Sequence, residues 1–547
     1  MKMKNVKKFL LAGLVIMLFS GFFTGRNDIY FEVSKNIDLF GKVYKEVSFN
    51  YVEPIDPGQF MQAGIEGMLD ALDPYTVFID QNRKEDIDLI TNGKYGGIGI
   101  TIGVRGDRVT IVEVMDGYSS QRQGLRIGDV LLEADSVKIT PENLEQLSSI
   151  VKGKPGTTVH LKILRNDDDT LNFNVVKEEV IVKSLTYYGF YPKNSNNVYL
   201  KLTNFSRSAG DEVKNALLEL KAQKEIKSIV LDLRGNPGGL LDVAVDICDK
   251  FLPKGNLVVS TRGRDQADEK QYFATQEPLV GDAKLVVLIN GGSASASEIT
   301  AGAMQDHDRG VILGTKSYGK GLVQTITPLD YNTSLKITTA KYYTPSGRCI
   351  QKIDYTKNNK VFIQPDSIIK SSFLTDNKRT VYSGGGIIPD TTVDYVIEGN
   401  ITKDLLAKGM FFTFADHYYY MNEKQDFNKI PDDALLDQFV KYLGEQKYVY
   451  HSKAEKEIDK MIADINGRND AGTLSADLDH IKKEFDRLDK TELKIYKNEV
   501  LREIKGELAA RYLGNTGRTE VYLNYDKQFQ AALNILADTS AYNKLLR

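Results

Sequence analysis

The stretch INGGSASASEITAGAMQDHDRG, residues 289 to 310, sets Ser293, Ser295 and Ser297 at alternate positions between the pair Gly291 and Gly292 and an expected helix. A serine hydroxyl becomes a nucleophile only when a neighbour takes its proton, and the oxyanion it creates needs N–H donors already in place. The segment offers a place for this chemistry. The apolar strand AKLVVLIN runs into the glycines, and a helix beginning near Ser297 points free backbone N–H groups back at the loop. A second turn, RGNPGG from Arg234 to Gly239, follows another apolar strand, so two strand ends can form one oxyanion hole. The same residues also fit an ordinary helix start. Ser295 and Glu298 match an S-x-x-E capping box, and Ser297 matches a plain N-cap.

A base must then be found. The chain has 5 histidines, and only His307 is near in sequence. It lies about three helical turns beyond Ser295, roughly 15 to 18 Å along the axis, which is out of reach. A Ser-His-Asp triad is therefore disfavoured, and Lys320 in TKSYGKGLVQ is the stronger candidate. A lysine acts as a base only when neutral, so burial must lower its pKa by several units from about 10.4. Gln324, four residues on, can hold the amine in place. Taken alone, Lys320 equally fits a solvated loop lysine.

The elements that must position these residues follow from periodicity. Residues 26–92 read as short helices, with Ile37, Phe40, Tyr44 and Val47 at helical spacing. From KYGGIGITIGVRGDRVTIVEVM the period changes to two, and the strands VHLKILR and LNFNVV follow a helix over TPENLEQLSSIVKGKPG. Residues 181–398 alternate strands and helices, which implies an α/β layer with a largely parallel sheet. Residues 399–547 are helical and charged, with no chemical motif of their own.

Together, GGSASASEITAGAMQDHDRG, SYGKGLVQ and LDLRGNPGG resemble the carboxy-terminal processing peptidases, or tail-specific proteases. The resemblance covers roughly residues 30 to 395 and includes LDPYTVFID, GGIGI, YYTPSGRCIQ and GGGIIPD. It implies a Ser-Lys dyad on a crotonase/Clp-like α/β peptidase core, with Ser295 as nucleophile, Lys320 as base and Gln324 orienting it. It also implies Ala296 and one of Gly238 and Gly239 as oxyanion donors. Glu298 and Asp306 match motif positions near the site without a clear role. Residues 93–180 then resemble an inserted PDZ domain. Gly96, Gly97, Ile98, Gly99 and Ile100 in YGGIGI can offer successive N–H groups to a terminal carboxylate, and the following strand can pair with an incoming peptide.

Composition bounds the rest. The 547 residues carry a formal charge of -3 and no Trp, with basic residues dispersed beyond the first eight positions, so no nucleic-acid partner is expected. Cys248 and Cys349 have no ligand-like spacing, and neither a metal nor a cofactor is implied. Lys2, Lys4, Lys7 and Lys8 precede an apolar run from Phe9 to Phe19, a signal-peptide layout over residues 1–25 without an Ala-x-Ala site. The expectation is an exported periplasmic or cell-envelope endopeptidase, with an uncleaved inner-membrane anchor and a homo-oligomer both open. Its partners would be proteins or peptides with free C-termini. A non-catalytic tail-binding adaptor and an acyl-CoA enzyme are the rival readings. Because the chemistry lies before residue 325, a chain ending near residue 398 is expected to fold unless its newly exposed apolar surface aggregates, and to cleave a small unstructured substrate with altered oligomeric state or selectivity for folded proteins.

Overall fold

The computed structural model describes residues 27–80, 93–165, 168–265, 269–354, 362–363, 371–395, 398–422, 426–465 and 472–547. They form two compact units, one made of residues 27–80 with 324–338 and the other of the remaining described residues. The signal-like segment 1–25 lies outside the described residues.

In the smaller unit, helix α1 (Asn27–Asn50) is followed by α2 (Pro57–Leu69). Asp56 starts α2, its carboxylate accepting from Gly58 N at 2.8 Å and Gln59 N at 3.1 Å, with Pro57 in the first turn where no N–H is needed. Tyr44 stacks on Phe60 at 5.6 Å and joins the two helices. The short strand β1 (Val77–Ile79) pairs antiparallel with Ser334 to Lys336, so residues 26–92 are not helical throughout.

In the larger unit, the chain enters and leaves the first strand-rich region through one ladder. Strand β2 (Lys94–Gly97) and β8 (Glu178–Ile181) pair antiparallel, which is how a module inserted into another chain segment is tied at its neck. Between them, β3 (Ile100–Arg105), β4 (Arg108–Val114), β5 (Val130–Ala134), β6 (Thr158–Arg165) and β7 (Asp169–Val176) form an antiparallel sheet in that order, with β3 at one edge. Helix α3 (Leu144–Val151) buries Leu147 and Val151 in the same core as Ile98, Ile111 and Leu161.

The central sheet runs β9 (Leu185–Phe190), β10 (Asn197–Leu202), β11 (Ser228–Asp232), β12 (Lys284–Ile289), β13 (Val311–Gly314) and β14 (Thr391–Thr392). All pairs except β9 with β10 are parallel. Its crossovers include α4 (Ala209–Gln223), α5 (Leu241–Cys248) and α6 (Ala296–Asp306). Alternate strand residues Leu200, Ile229, Leu231, Leu285 and Val287 face these helices. Every residue of β11 is buried, the pattern of a parallel strand covered on both faces.

The second cover comes from the C-terminal segment. Helices α7 (Met410–Asn422) and α8 (Lys497–Tyr525) belong to a separate apolar cluster with Phe411, Phe414, Phe439 and Leu508, and α8 kinks at Gly514. Helices α9 (Lys527–Ala537) and α10 (Thr539–Leu545) then bury Phe529, Ala532, Leu536 and Tyr542 against Tyr187, Tyr199, Val230, Val286, Leu288, Val311 and Leu313. This bears on the expectation that a chain ending near residue 398 folds unless newly exposed apolar surface aggregates, because that surface is a whole sheet face. A chain ending at residue 398 would leave one face of the central sheet in water.

Candidate active site

Ser295 sits where the loop after β12 enters α6, with φ 54° and ψ −114°. Such a backbone costs a non-glycine residue on the order of 1–3 kcal/mol and persists only where its surroundings hold it. Glu298 is the chief restraint. Its fully buried carboxylate accepts from Ser295 N (2.9 Å), Ser317 Oγ (2.5 Å), Gly319 N (2.7 Å) and Lys320 N (2.9 Å). The glutamate half of the capping box is thus formed, and the same side chain reaches the lysine loop 22 residues later. Burial pushes the Glu298 carboxyl up to about 7, with the four donors acting in the opposite direction.

A second tie runs through Tyr342. Its buried hydroxyl donates to the Lys320 carbonyl and lies 3.2 Å from the Ser295 carbonyl. The backbones of Ser295 and Lys320 are therefore held together by one carboxylate on their N–H groups and one phenol on their carbonyls. Tyr342 carries no sequence signal beyond its place before YTPSG. Its role depends on a hydroxyl that only the folded chain brings to both loops.

The three serines differ in what they do. Ser293 is fully buried, accepting from Asn290 N at 2.9 Å and donating to the Leu233 carbonyl at 2.8 Å. Ser297 is also fully buried and donates to the Asn236 carbonyl at 2.9 Å. Ser295 alone of the three is only partly buried, and the strained strand-to-helix turn presents it outward.

The turn Arg234 to Gly239 packs directly on this loop. Gly238 N donates to Asn236 Oδ1 at 2.9 Å, so its N–H is already engaged within the turn. A Cβ at Gly238 would lie 2.8 Å from Ala296 N and 2.9 Å from Ser295 Cβ, so only glycine allows the close approach. Ala296 is the first residue of α6, where a backbone N–H has no intrahelical acceptor. Gly319 has φ 91°, and a Cβ there would meet Lys352 Cβ at 2.8 Å, which accounts for the glycine beside Lys320.

Other expected residues fall as follows. Gln324 belongs to the smaller unit, where its amide donates to Thr338 Oγ1 at 3.2 Å. Asp306 ends α6 in a buried ion pair with Arg348 at 2.7 Å and accepts from Ser346 N, a structural role. His307 uses both ring nitrogens, on Asp376 (2.8 Å) and on the Leu257 carbonyl (2.7 Å), at the far end of α6 from Ser295. In the YGGIGI segment, Gly96 and Gly97 are strand residues registered against Glu179 and Glu178 in the β2–β8 ladder, with the Gly96 carbonyl turned away from β8 to accept from Gly153 N at 3.0 Å. Ile98 is buried, its carbonyl accepting from Ser120 Oγ at 2.6 Å, while Gly99 turns the chain at φ 77° into Ile100 at the start of the edge strand β3.

Three family models match the chain: Peptidase family S41 over residues 196–367, PDZ domain over 96–176, and Probable PDZ-protease, C-terminal helical domain, over 401–536. A carboxy-terminal-processing protease of Bartonella bacilliformis is 37% identical over 352 residues, 64% of this chain and 79% of the relative. A probable CtpA-like serine protease of Staphylococcus haemolyticus is 32% identical over 348 residues, 62% of this chain and 69% of the relative. Among solved structures, the photosystem II D1 C-terminal processing protease is 24% identical and aligns over 65% of this chain and 92% of that chain, with a TM-score of 0.35. With a PDZ domain, an S41 core and a C-terminal helical region in that order, the chain belongs to the carboxy-terminal processing peptidases, a family of serine-type peptidases.

Proposed function

We propose that this chain is an exported endopeptidase that binds the free C-terminal tail of a protein substrate through its PDZ domain and cleaves upstream with a Ser295–Lys320 dyad. Neutral Lys320 Nζ takes the Ser295 Oγ proton as Oγ attacks the scissile carbonyl. The N–H groups of Ala296 and Gly239 receive the oxyanion. Collapse of the tetrahedral intermediate breaks the C–N bond, and the lysine passes its proton to the leaving amine. Water, deprotonated by the same lysine, then hydrolyses the acyl-enzyme. The orienting role of Gln324 rests on the family resemblance alone. The observation that carries this reading is the single buried Glu298 carboxylate bonded to the backbone N–H groups of both Ser295 and Lys320. It explains why a serine and a lysine 25 positions apart in sequence are held as one unit.

Tail recognition is read from the edge strand. β3 has β4 on one side only, so an incoming peptide can add as the next strand. Within Gly96 to Ile100, the N–H groups of Ile98 and Gly99, in the turn that leads into the edge strand, are read as donors to a terminal carboxylate. Export rests on the basic and apolar N-terminal segment. Among the described residues no helix is long and apolar enough to cross a membrane. Matched substrates with free and amidated C-termini test the tail reading. Amidation removes the charge that the nest would bind, so kcat/KM is expected to fall markedly. Equal rates would refute tail recognition while leaving the peptidase assignment intact.

A further inference from the structure

Arg234 opens the glycine turn, and its guanidinium is gripped from two sides. From the strand side, Asp232 takes Arg234 Nε at 2.9 Å and Nη2 at 2.5 Å, and Tyr199 donates to the same carboxylate at 2.6 Å. From the C-terminal side, Asp526 takes Nη2 at 2.6 Å and Gln528 takes Nη1 at 2.8 Å. Asp526 divides its carboxylate. Oδ2 faces Arg234, while Oδ1 caps α9 by accepting from Gln528 N and Phe529 N at 2.9 and 3.1 Å. Gln528 is buried, and its amide donates onward to the Val393 carbonyl at 2.6 Å beside β14. Both tail residues are therefore oriented by contacts of their own before they meet the arginine.

Beyond Arg234 the turn is fastened to the nucleophile loop. Gly235 N donates to Asn290 Oδ1 at 2.9 Å, and the Asn236 carbonyl accepts from Ala294 N at 3.0 Å and Ser297 Oγ at 2.9 Å. A continuous set of hydrogen bonds thus runs from Asp526 and Gln528 through Arg234 to the backbone flanking Ser295. An oxyanion donor displaced by even a fraction of an ångström is a weaker donor at the moment charge develops.

We propose that Asp526 and Gln528 are positioning residues for peptide cleavage, fixing through Arg234 the turn that presents the Gly239 oxyanion donor. The C-terminal helical segment would then be part of the catalytic apparatus without touching substrate. The proposal rests on the reading of Gly239 and Ala296 as oxyanion donors.

Asp526→Asn separates the two jobs of the residue. Asparagine is as good an N-cap as aspartate, so α9 keeps its start, but with Oδ1 on the cap the amide NH₂ turns a donor toward a guanidinium that needs an acceptor. Full-length protein is assayed on a short unstructured peptide beside Ser295→Ala and Lys284→Met. Lys284 binds the tail elsewhere, at the Leu536 carbonyl and Thr539, so its loss reports loosened docking alone. The expected result for Asp526→Asn is a kcat lower by about 10- to 100-fold with KM within about twofold, part of the 100- to 1,000-fold cost of losing a whole donor. Amide exchange over residues 235–240 should quicken. Lys284→Met should melt earlier with kcat unchanged. A folded Asp526→Asn with wild-type kcat and exchange, or an equal kcat loss in Lys284→Met, would overturn the clamp. Cleavage surviving in Ser295→Ala would instead overturn the reading of the site itself. If Asp526→Asn proves insoluble, Arg234→Lys, cationic but unable to serve all three acceptors, must show the same kcat loss or the proposal fails.

Discussion

The two faces of the central sheet are covered by very different parts of the chain. One face packs against α4, α5 and α6, the crossovers between its own strands, within residues 209–306. The other packs against α9 and α10, which begin 135 residues after β14 ends and carry no chemical motif. The difference teaches that proximity in sequence to the reacting groups is a poor guide to what the site needs. A parallel strand such as β11 requires two covers, and only one is available from the crossovers.

Deleting the second cover should have the largest effect. A chain ending at residue 398 would expose Val230, Val286, Leu288, Val311 and Leu313 together with Tyr187 and Tyr199, and is expected to be insoluble or aggregated. A monodisperse, cooperatively melting truncation on size exclusion and calorimetry would break the comparison. Point substitutions sharpen it. Phe529→Ala on the distal face should cost about 3–5 kcal/mol and Leu217→Ala on the proximal face about 2–5, both measured by urea unfolding. A loss under about 1 kcal/mol for Phe529→Ala alone would make the tail an accessory layer rather than half of the core.

A smaller and pH-dependent effect is expected at Glu298. Burial raises its folded-state value from 4.5 to about 7, so the folded protein binds the proton more tightly than the unfolded chain. The associated stability is fully present below about pH 4.5 and is lost as pH rises through about 7, a change of roughly 3 kcal/mol relative to Glu298→Gln, which does not titrate. Between pH 4 and 8 the parent's unfolding free energy should fall by that amount relative to that of Glu298→Gln. A constant difference across this range would show that burial does not govern the carboxyl.

Much of this arrangement was legible before folding. The alternation of strands and helices, the capped helix after Thr140 and the glycine turns all follow from local patterns, and the structure contains them. What local pattern could not say, and only the family resemblance pointed to, was which of three alternating serines stands apart. Ser293 and Ser297 are consumed by carbonyls of Leu233 and Asn236, about sixty positions away, and no periodicity reports a contact of that kind. The engagement of the Gly238 N–H was closer to hand. An asparagine two residues before a glycine commonly turns its side-chain oxygen onto that N–H, and Asn236 does so. The second face of the sheet was hinted at by the apolar run IVL, residues 229–231, which needs a cover the nearby helices cannot supply twice.

The central claim, a serine activated by a lysine and not by a histidine, is tested most directly by turnover of an unstructured protein ending in apolar residues. Ser295→Ala, Lys320→Ala and the alanine variants of His160, His307, His417, His451 and His480 are compared with the parent, each checked for a native melting transition. Ser295→Ala and Lys320→Ala should show no turnover, and all five histidine variants should keep substantial activity, with the parent's rate rising with pH as the lysine deprotonates. A folded histidine variant as inactive as Ser295→Ala, or a Lys320→Ala protein that cleaves at the parent's rate, would contradict it.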